Sequence, residues 1–424
     1  MKARISLAAA LLGLSAAAAP SVSGIALTQA DDRTVTVSYT LAGGPAIVTY
    51  DILTNGVSVG GQALWRSWGD VNAKVASGAR TIRWQPREWN DRFVVDGSVS
   101  AKVTAWPLDN PPDYMAVDLG MPSNRLWYAD AESVPLGVTN ILYKTEKLLM
   151  RRIHAAGIVW RKDSAQGEET GHLATEILRP VMLTEDYYMG VFQVTYRQHA
   201  MINNPAVGKT DYPEWPQQKI CINDLRGAAP DIDWPTTGSA VASDSVIGKL
   251  RKYTGVMTFD LPTDAQWDFA CMGGDTHARF GVSSADLPQY AWYVDSNYTD
   301  GRFGPYTDNP LTGAGIDTRR FQRVGLLKPN PFGLYDILGN GSELCQDWYA
   351  EGDDYAKLGV LQIDPKGPMT GTDRIVHAAS VNHDASCQRA GDHRPGMVMS
   401  PAGAASWVYA TYRLICGISA ESDE

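Results

Sequence analysis

PNPFGLYDILGNGSELCQDW, running from Pro329 to Trp348, packs a turn, a short apolar run, a second turn and an acidic, aromatic end into one stretch. Asn330-Pro331 marks the first turn, because proline fixes φ and pushes the residue before it toward extended geometry. Gly333 and Gly339 read as positions where a side chain would clash or where φ is positive. Between them Leu334, Tyr335, Ile337 and Leu338 supply apolar anchors. Asn340, Glu343 and Asp347 then put oxygen ligands on a tight loop, the donor chemistry that a hard cation such as calcium prefers. Asn340 and Glu343, three apart with the Gly341 carbonyl between them, are spaced to converge on one ion.

The same stretch resembles the PNxFGLYDMxGNVWEW signature of the formylglycine-generating enzyme (sulfatase-modifying factor) family. Tyr335-Asp336 and Gly339-Asn340 match it, whereas Gly341-Ser342-Glu343-Leu344 stands where Val-Trp-Glu-Trp is usual. The aromatic part is lost; Asn340 and Glu343 remain. The family uses this loop for calcium, so the resemblance implies Asn340, Gly341 and Glu343 as its ligands. Further signatures precede it in order. Met150 to Gly157 is similar to the family's opening strand. Pro180 to Gln198 matches a second signature through Tyr188, Gly190, Val194 and Thr195, with Thr195 placed to cap a helix. Leu261 to Ala270 (LPTDAQWDFA) resembles the family's Leu-Pro-Thr-Glu-Ala-Glu-Trp-Glu-Tyr-Ala. There Pro262 ends a strand, Thr263 caps a helix, and Gln266 completes a capping box at the third helical position. The resemblance covers Arg151 to Gly417. It implies a loop-rich α+β domain of the formylglycine-generating-enzyme fold, related to C-type lectin domains.

Enzymes of this family oxidise a sulfatase cysteine to an aldehyde with a pair of C-terminal cysteines that hold copper(I), and two thiolates suit that soft ion. The pair follows an Arg-Gly-Gly-Ser-Trp turn and precedes a closing Gly-Phe-Arg strand. The matching stretch here is His377 to Arg389. Ser380 aligns with the family serine, His383 falls where the first cysteine stands, and Cys387 falls at or beside the second. Tyr412-Arg413 closes the match. One thiol cannot form the dithiolate or an internal disulfide. Cys387 and His383 are therefore the candidate catalytic residues of a variant oxidase, and otherwise a loop histidine and a buried thiol. The expected function is a non-catalytic member that binds a peptide or glycan in the old substrate groove. The alternatives are a formylglycine-generating oxidase, with copper as cofactor, and a structural cell-surface module.

The rest of the chain sets the context. Lys2 and Arg4, the apolar run Ile5 to Leu14 and the small residues Ala16 to Ala19 read as a signal peptide over 1–19, which implies a secreted, periplasmic or cell-surface protein. No later run of about twenty apolar residues is present, so no membrane span is expected. A formal charge of −10 argues against a nucleic-acid partner held through phosphates. The five cysteines contain no CxxC pair, which disfavours a zinc ribbon. Residues 20–106 alternate at period two around an Asn55-Gly56 hairpin signal, and read as a β-sandwich of immunoglobulin or fibronectin type III character. Pro107 to Pro112 is a boundary, 107–149 a linker or bridging segment, and 150–420 the second domain. Within that domain Asp244 to Tyr253 reads as a helix.

Overall fold

The computed structural model describes residues 18–121, 125–162, 179–208, 210–228, 230–277, 279–293, 321–349, 360–377, 380–381, 383–397 and 410–418. The expected signal peptide lies almost wholly outside them. Apart from residues 60–62, the chain divides into two compact units between Leu108 and Asp109.

The N-terminal unit is two antiparallel sheets around one core. Ser21–Gln29, Val35–Ala42, Gly78–Trp84 and Ser67–Gly69 form one sheet in that order; Val57–Ser58, Ala46–Thr54 and Ala73–Val75 form the other, with Val99–Trp106 also paired to Ala46–Thr54. The period-two pattern explains the layering. Along Val35–Ala42 the residues Val35, Val37, Tyr39 and Leu41 are buried, and their neighbours face outward. They meet Val48, Tyr50 and Ile52 of the second sheet in one cluster, closed by Trp84. Asn55 and Gly56 both take positive φ, 52° and 79°, as a two-residue hairpin turn requires.

The second unit is built on a five-stranded antiparallel sheet in the order Arg125–Tyr128, Tyr114–Asp118, Lys147–Ile153, Tyr187–Gly190, Ile415–Gly417. The closing strand thus returns to the middle of the chain, with Cys416 opposite Tyr188. The stretch 107–149, expected as a linker or bridging segment, takes part in this sheet. Two strands of the sheet and the short helix Leu142–Thr145 come from that stretch. The period-two runs there are short and broken by turns, so nothing local distinguishes them from a spacer. A second sheet orders His393–Met397, Asp373–His377, Ser342–Trp348 and Ala410–Thr411.

Two helices carry the expected caps. Thr195 accepts from the backbone of Gln198 and Gln198 answers with its side chain; Thr263 and Gln266 do the same for the helix Asp264–Met272. The latter ends at Gly273, where φ is +63° and an added Cβ would lie 2.6 Å from Pro331. The helix expected over 244–253 runs from Val246 to Thr254, because Ser245 supplies the N-cap oxygen.

Candidate functional site

The 329–348 segment is tied down by its own polar groups. The Asn330 side chain accepts from Phe332 and Leu334 N–H and donates to the Ala270 and Cys271 carbonyls. The first turn is therefore pinned to the end of the helix Asp264–Met272. At Gly339 an added Cβ would lie 2.4 Å from the Trp292 carbonyl oxygen, so only glycine permits this approach. Beyond it every residue of the strand Ser342–Trp348 is buried.

Glu343 is fully buried, and its carboxylate is shared between two elements distant in sequence. Arg413 meets it at 2.8 Å through Nη2 and 3.0 Å through Nε. Trp267 Nε1 donates to Oε2 at 2.8 Å. The remaining Arg413 N–H groups donate to the carbonyls of Gly190, Val191 and Tyr335. All five guanidinium donors are thus satisfied in a site without solvent, and the fork geometry of arginine suits that role.

The calcium donor set expected at this loop is used otherwise. Asn340 Oδ1 accepts from Gln322 N–H at 2.9 Å, and its amide donates to the Gln322 carbonyl. The Gly341 carbonyl accepts from Gln193 at 2.9 Å. Glu343 neutralises Arg413. A hard cation needs negative oxygens left over for it. The only formal charge among these three residues is already paired, so the residues present do not fit calcium.

Next to this pair lies a cluster that sequence reasoning missed. His377 sits opposite Glu343 in the sheet register and is fully buried. Its Nε2 is 2.5 Å from Asp264 Oδ1, and its Nδ1 is 3.4 Å from Asp268 Oδ1. Its ring stacks on Trp267 at 4.3 Å and an interplanar angle of 9°. The helix delivers Asp264, Trp267 and Asp268 on one face, as positions i, i+3 and i+4 must. A signal was present. His377 stands where the resembled turn has arginine, and Asp264 and Asp268 stand where it has glutamates. A shorter side chain stands at each of the three positions.

Asp336 is buried too. Burial raises its carboxyl to about 6, against the pull of the Gly325 N–H and the Arg413 and Lys144 charges. Folded protein therefore holds this proton between about pH 4 and 6, where unfolded chain has released it. The stability it contributes is present below pH 4 and is lost as pH rises through 6. The total is about 3 kcal/mol. Asp336→Asn is expected to flatten that slope in urea titrations from pH 4 to 7, and to be the more stable protein at pH 8.

The C-terminal loop holds the candidate catalytic pair. Cys387 ends a 3₁₀ turn, Ala385–Cys387, and is half-buried. Arg279 braces the turn by donating to the Ala385 and Gln388 carbonyls. His383 Nδ1 lies 3.1 Å from both the N–H and the hydroxyl of Ser380. The five cysteines form no disulfide. Cys271 and Cys345 are in the hydrophobic core, and burial drives the Cys345 thiol upward. Cys416 is pushed up to about 12 by burial on the closing strand. Cys221 heads the helix Ile222–Arg226 and contacts Asp224 at 3.1 Å. A copper(I) dithiolate needs two thiolates together. The loop offers one thiol and an imidazole held by its own serine, so the residues present do not fit that group.

A capped Thr-Asp-Ala-Gln-Trp helix, a buried Glu343–Arg413 pair and a closing strand paired back onto Tyr187–Gly190 define one kind of domain. A family model described as "Sulfatase-modifying factor enzyme 1-like domain" matches residues 163–398, more than half of the chain. The chain belongs to that family. The formylglycine-generating enzyme of Thermomonospora curvata is 32% identical over 131 residues, 30% of this chain and 41% of that protein. Chaperone protein LppX of Paenibacillus barcinonensis is 28% identical over 188 residues, 39% of this chain and 63% of that protein. Among solved structures, Treponema denticola variable protein 1 is 20% identical with a TM-score of 0.44, over 64% of this chain and 95% of that one. The chain spans less than half the length of the curated formylglycine-generating enzymes it matches. Among the described residues, no helix is long and apolar enough to cross a membrane.

Proposed function

We propose that this is an exported, non-oxidising member of the family, which binds a peptide or glycan where its relatives work on a substrate. One observation carries the reading. The loop that aligns with the family's cysteine pair contributes a single thiol, Cys387, while His383 in the other position is committed to Ser380. Lone-thiol chemistry supplies neither a dithiolate nor a resolving partner for an internal disulfide. The frame around it is kept, since Arg279 holds the Ala385–Cys387 turn from below. A rigid, braced loop that lacks the redox pair remains suited to recognition. The basic, apolar and small-residue run at 1–19 supports export. The alternating strands of the N-terminal unit support an immunoglobulin- or fibronectin-like module, and the second unit is read as related to C-type lectin domains. Printed arrays of glycans and of peptides, probed with the full chain, test the proposal. Saturable capture on either array is the expected result. Silence on both would leave only a structural role.

A further inference from the structure

The second unit carries a cavity of about 760 Å³, away from the C-terminal cysteine loop in its lining. That volume falls in the ~300–1,000 Å³ range of small-ligand sites. Its walls come from the helix Tyr196–Asn203, the helix Ile222–Arg226, the segments that precede and follow the latter, and the start of the helix Val246–Thr254. The chemistry of the wall is mixed. Lys219 and Lys249 line it together with Asp224, Asp231 and Asp244, so the charges nearly cancel. Asn203, Gln217 and Asn223 add amides, each of which donates and accepts. Ile220 and Val246, both buried, give it an apolar face together with Ile232 and Ala242, and among the described residues His199 is the only ring in the lining.

One side of this wall is a directed hydrogen-bond chain. Lys249 Nζ donates to Asn203 Oδ1 at 2.9 Å. That fixes the amide, which donates through Nδ2 to His199 Nε2 at 3.1 Å. The His199 Nδ1 hydrogen then faces the Tyr412 hydroxyl, 2.9 Å away. Burial lowers His199 to about 4, so the ring is neutral at physiological pH and adds no charge to the cavity. The donors and acceptors of this wall are therefore set before any ligand arrives.

We infer that this cavity binds a saccharide, a neutral polyhydroxylated ligand of one or two rings. The inference shares with the binding reading above only the class of ligand, and places glycan recognition at this second site, apart from the cysteine loop. A hydroxyl both donates and accepts, so vicinal hydroxyls match neighbouring carboxylates, amides and ammonium groups that an apolar ligand would leave unpaired. A strongly charged ligand would meet like charge from either the aspartates or the lysines. The apolar side chains of the lining offer a surface for the C–H side of a sugar ring.

The test uses the full chain on a printed glycan array, followed by calorimetry with the best glycan and competition by free methyl glycosides. Competition separates recognition of a single sugar from recognition of a longer chain end. Two variants are compared with wild type: Asp231→Ala/Asp244→Ala and Lys219→Ala. All three positions are exposed, and unchanged melting temperatures show that the variants fold. The expected result is saccharide binding that falls roughly tenfold or more in each variant, as loss of a hydrogen bond to a charged group implies. Saccharide binding unaffected by both variants would overturn the cavity assignment and leave the binding reading intact. Capture of peptides with no capture of any glycan would overturn the saccharide and again leave that reading. Silence on both arrays would remove both.

Discussion

Glu343→Gln is expected to destabilise the second unit by about 3–5 kcal/mol, the cost of leaving a buried charge without its partner. Arg413 is wholly buried, and three backbone carbonyls already hold the rest of its guanidinium. It cannot reach water without pulling the closing strand away from Tyr187–Gly190. Glutamine preserves the shape and an acceptor for Trp267 Nε1, so the loss reports charge rather than volume. The pair itself need not be a net gain over an apolar core of the same shape. Glu343→Leu combined with Arg413→Met is therefore expected to recover part of what either change loses alone. Urea titration with a tryptophan fluorescence readout measures each variant. The same titration with calcium and with chelator should coincide, since an ion held only by folded protein would stabilise it. A Glu343→Gln loss under about 1 kcal/mol, or a midpoint that follows calcium, would contradict the described role of this carboxylate.

His377→Ala is the second large effect. The change removes the group between Asp264 and Asp268, which sit on successive turns of one helix and face the same point. It also opens a void against the Trp267 ring, stacked 4.3 Å away. Loss of the imidazole beside two carboxylates and a new cavity act in the same direction, and together they imply a loss of about 3–5 kcal/mol. The two contributions separate in a double variant. With Asp268→Asn already in place, His377→Ala should cost at least about 1 kcal/mol less, because the imidazole then faces one carboxylate instead of two. Additive losses would mean that the histidine acts only by filling space.

Where the chain could be read from its sequence, the information was local. The helix Asp264–Met272 is announced by Thr263 and Gln266 three apart, and the capping box forms as those residues require. The hairpin at Asn55-Gly56 and the layered burial along Val35–Ala42 follow from turn chemistry and from the two-residue pleat. The strands at 114–118 and 125–128 were missed because they pair with Lys147–Ile153 and with each other across turns that carry no strong signal. The use of Glu343 was missed for a different reason. Asparagine, glycine carbonyl and glutamate on one loop do spell an oxygen site. What spends the carboxylate is an arginine 70 residues away. Asp264 and His377 are separated by 113 residues, and no periodicity reaches that far. Side-chain chemistry at a site is decided by such pairings, so sequence proposes ligands and the fold assigns them.

The central claim is that this domain keeps its family's frame without the family's oxidation chemistry. Full-length protein, copper(I) and a peptide containing Cys-x-Pro-x-Arg, incubated in air and followed by mass spectrometry, put it to the test. Unchanged cysteine in the peptide, alongside a formylglycine-generating enzyme that converts it, is the predicted result. Conversion of that cysteine to the aldehyde, abolished by Cys387→Ala, would contradict it.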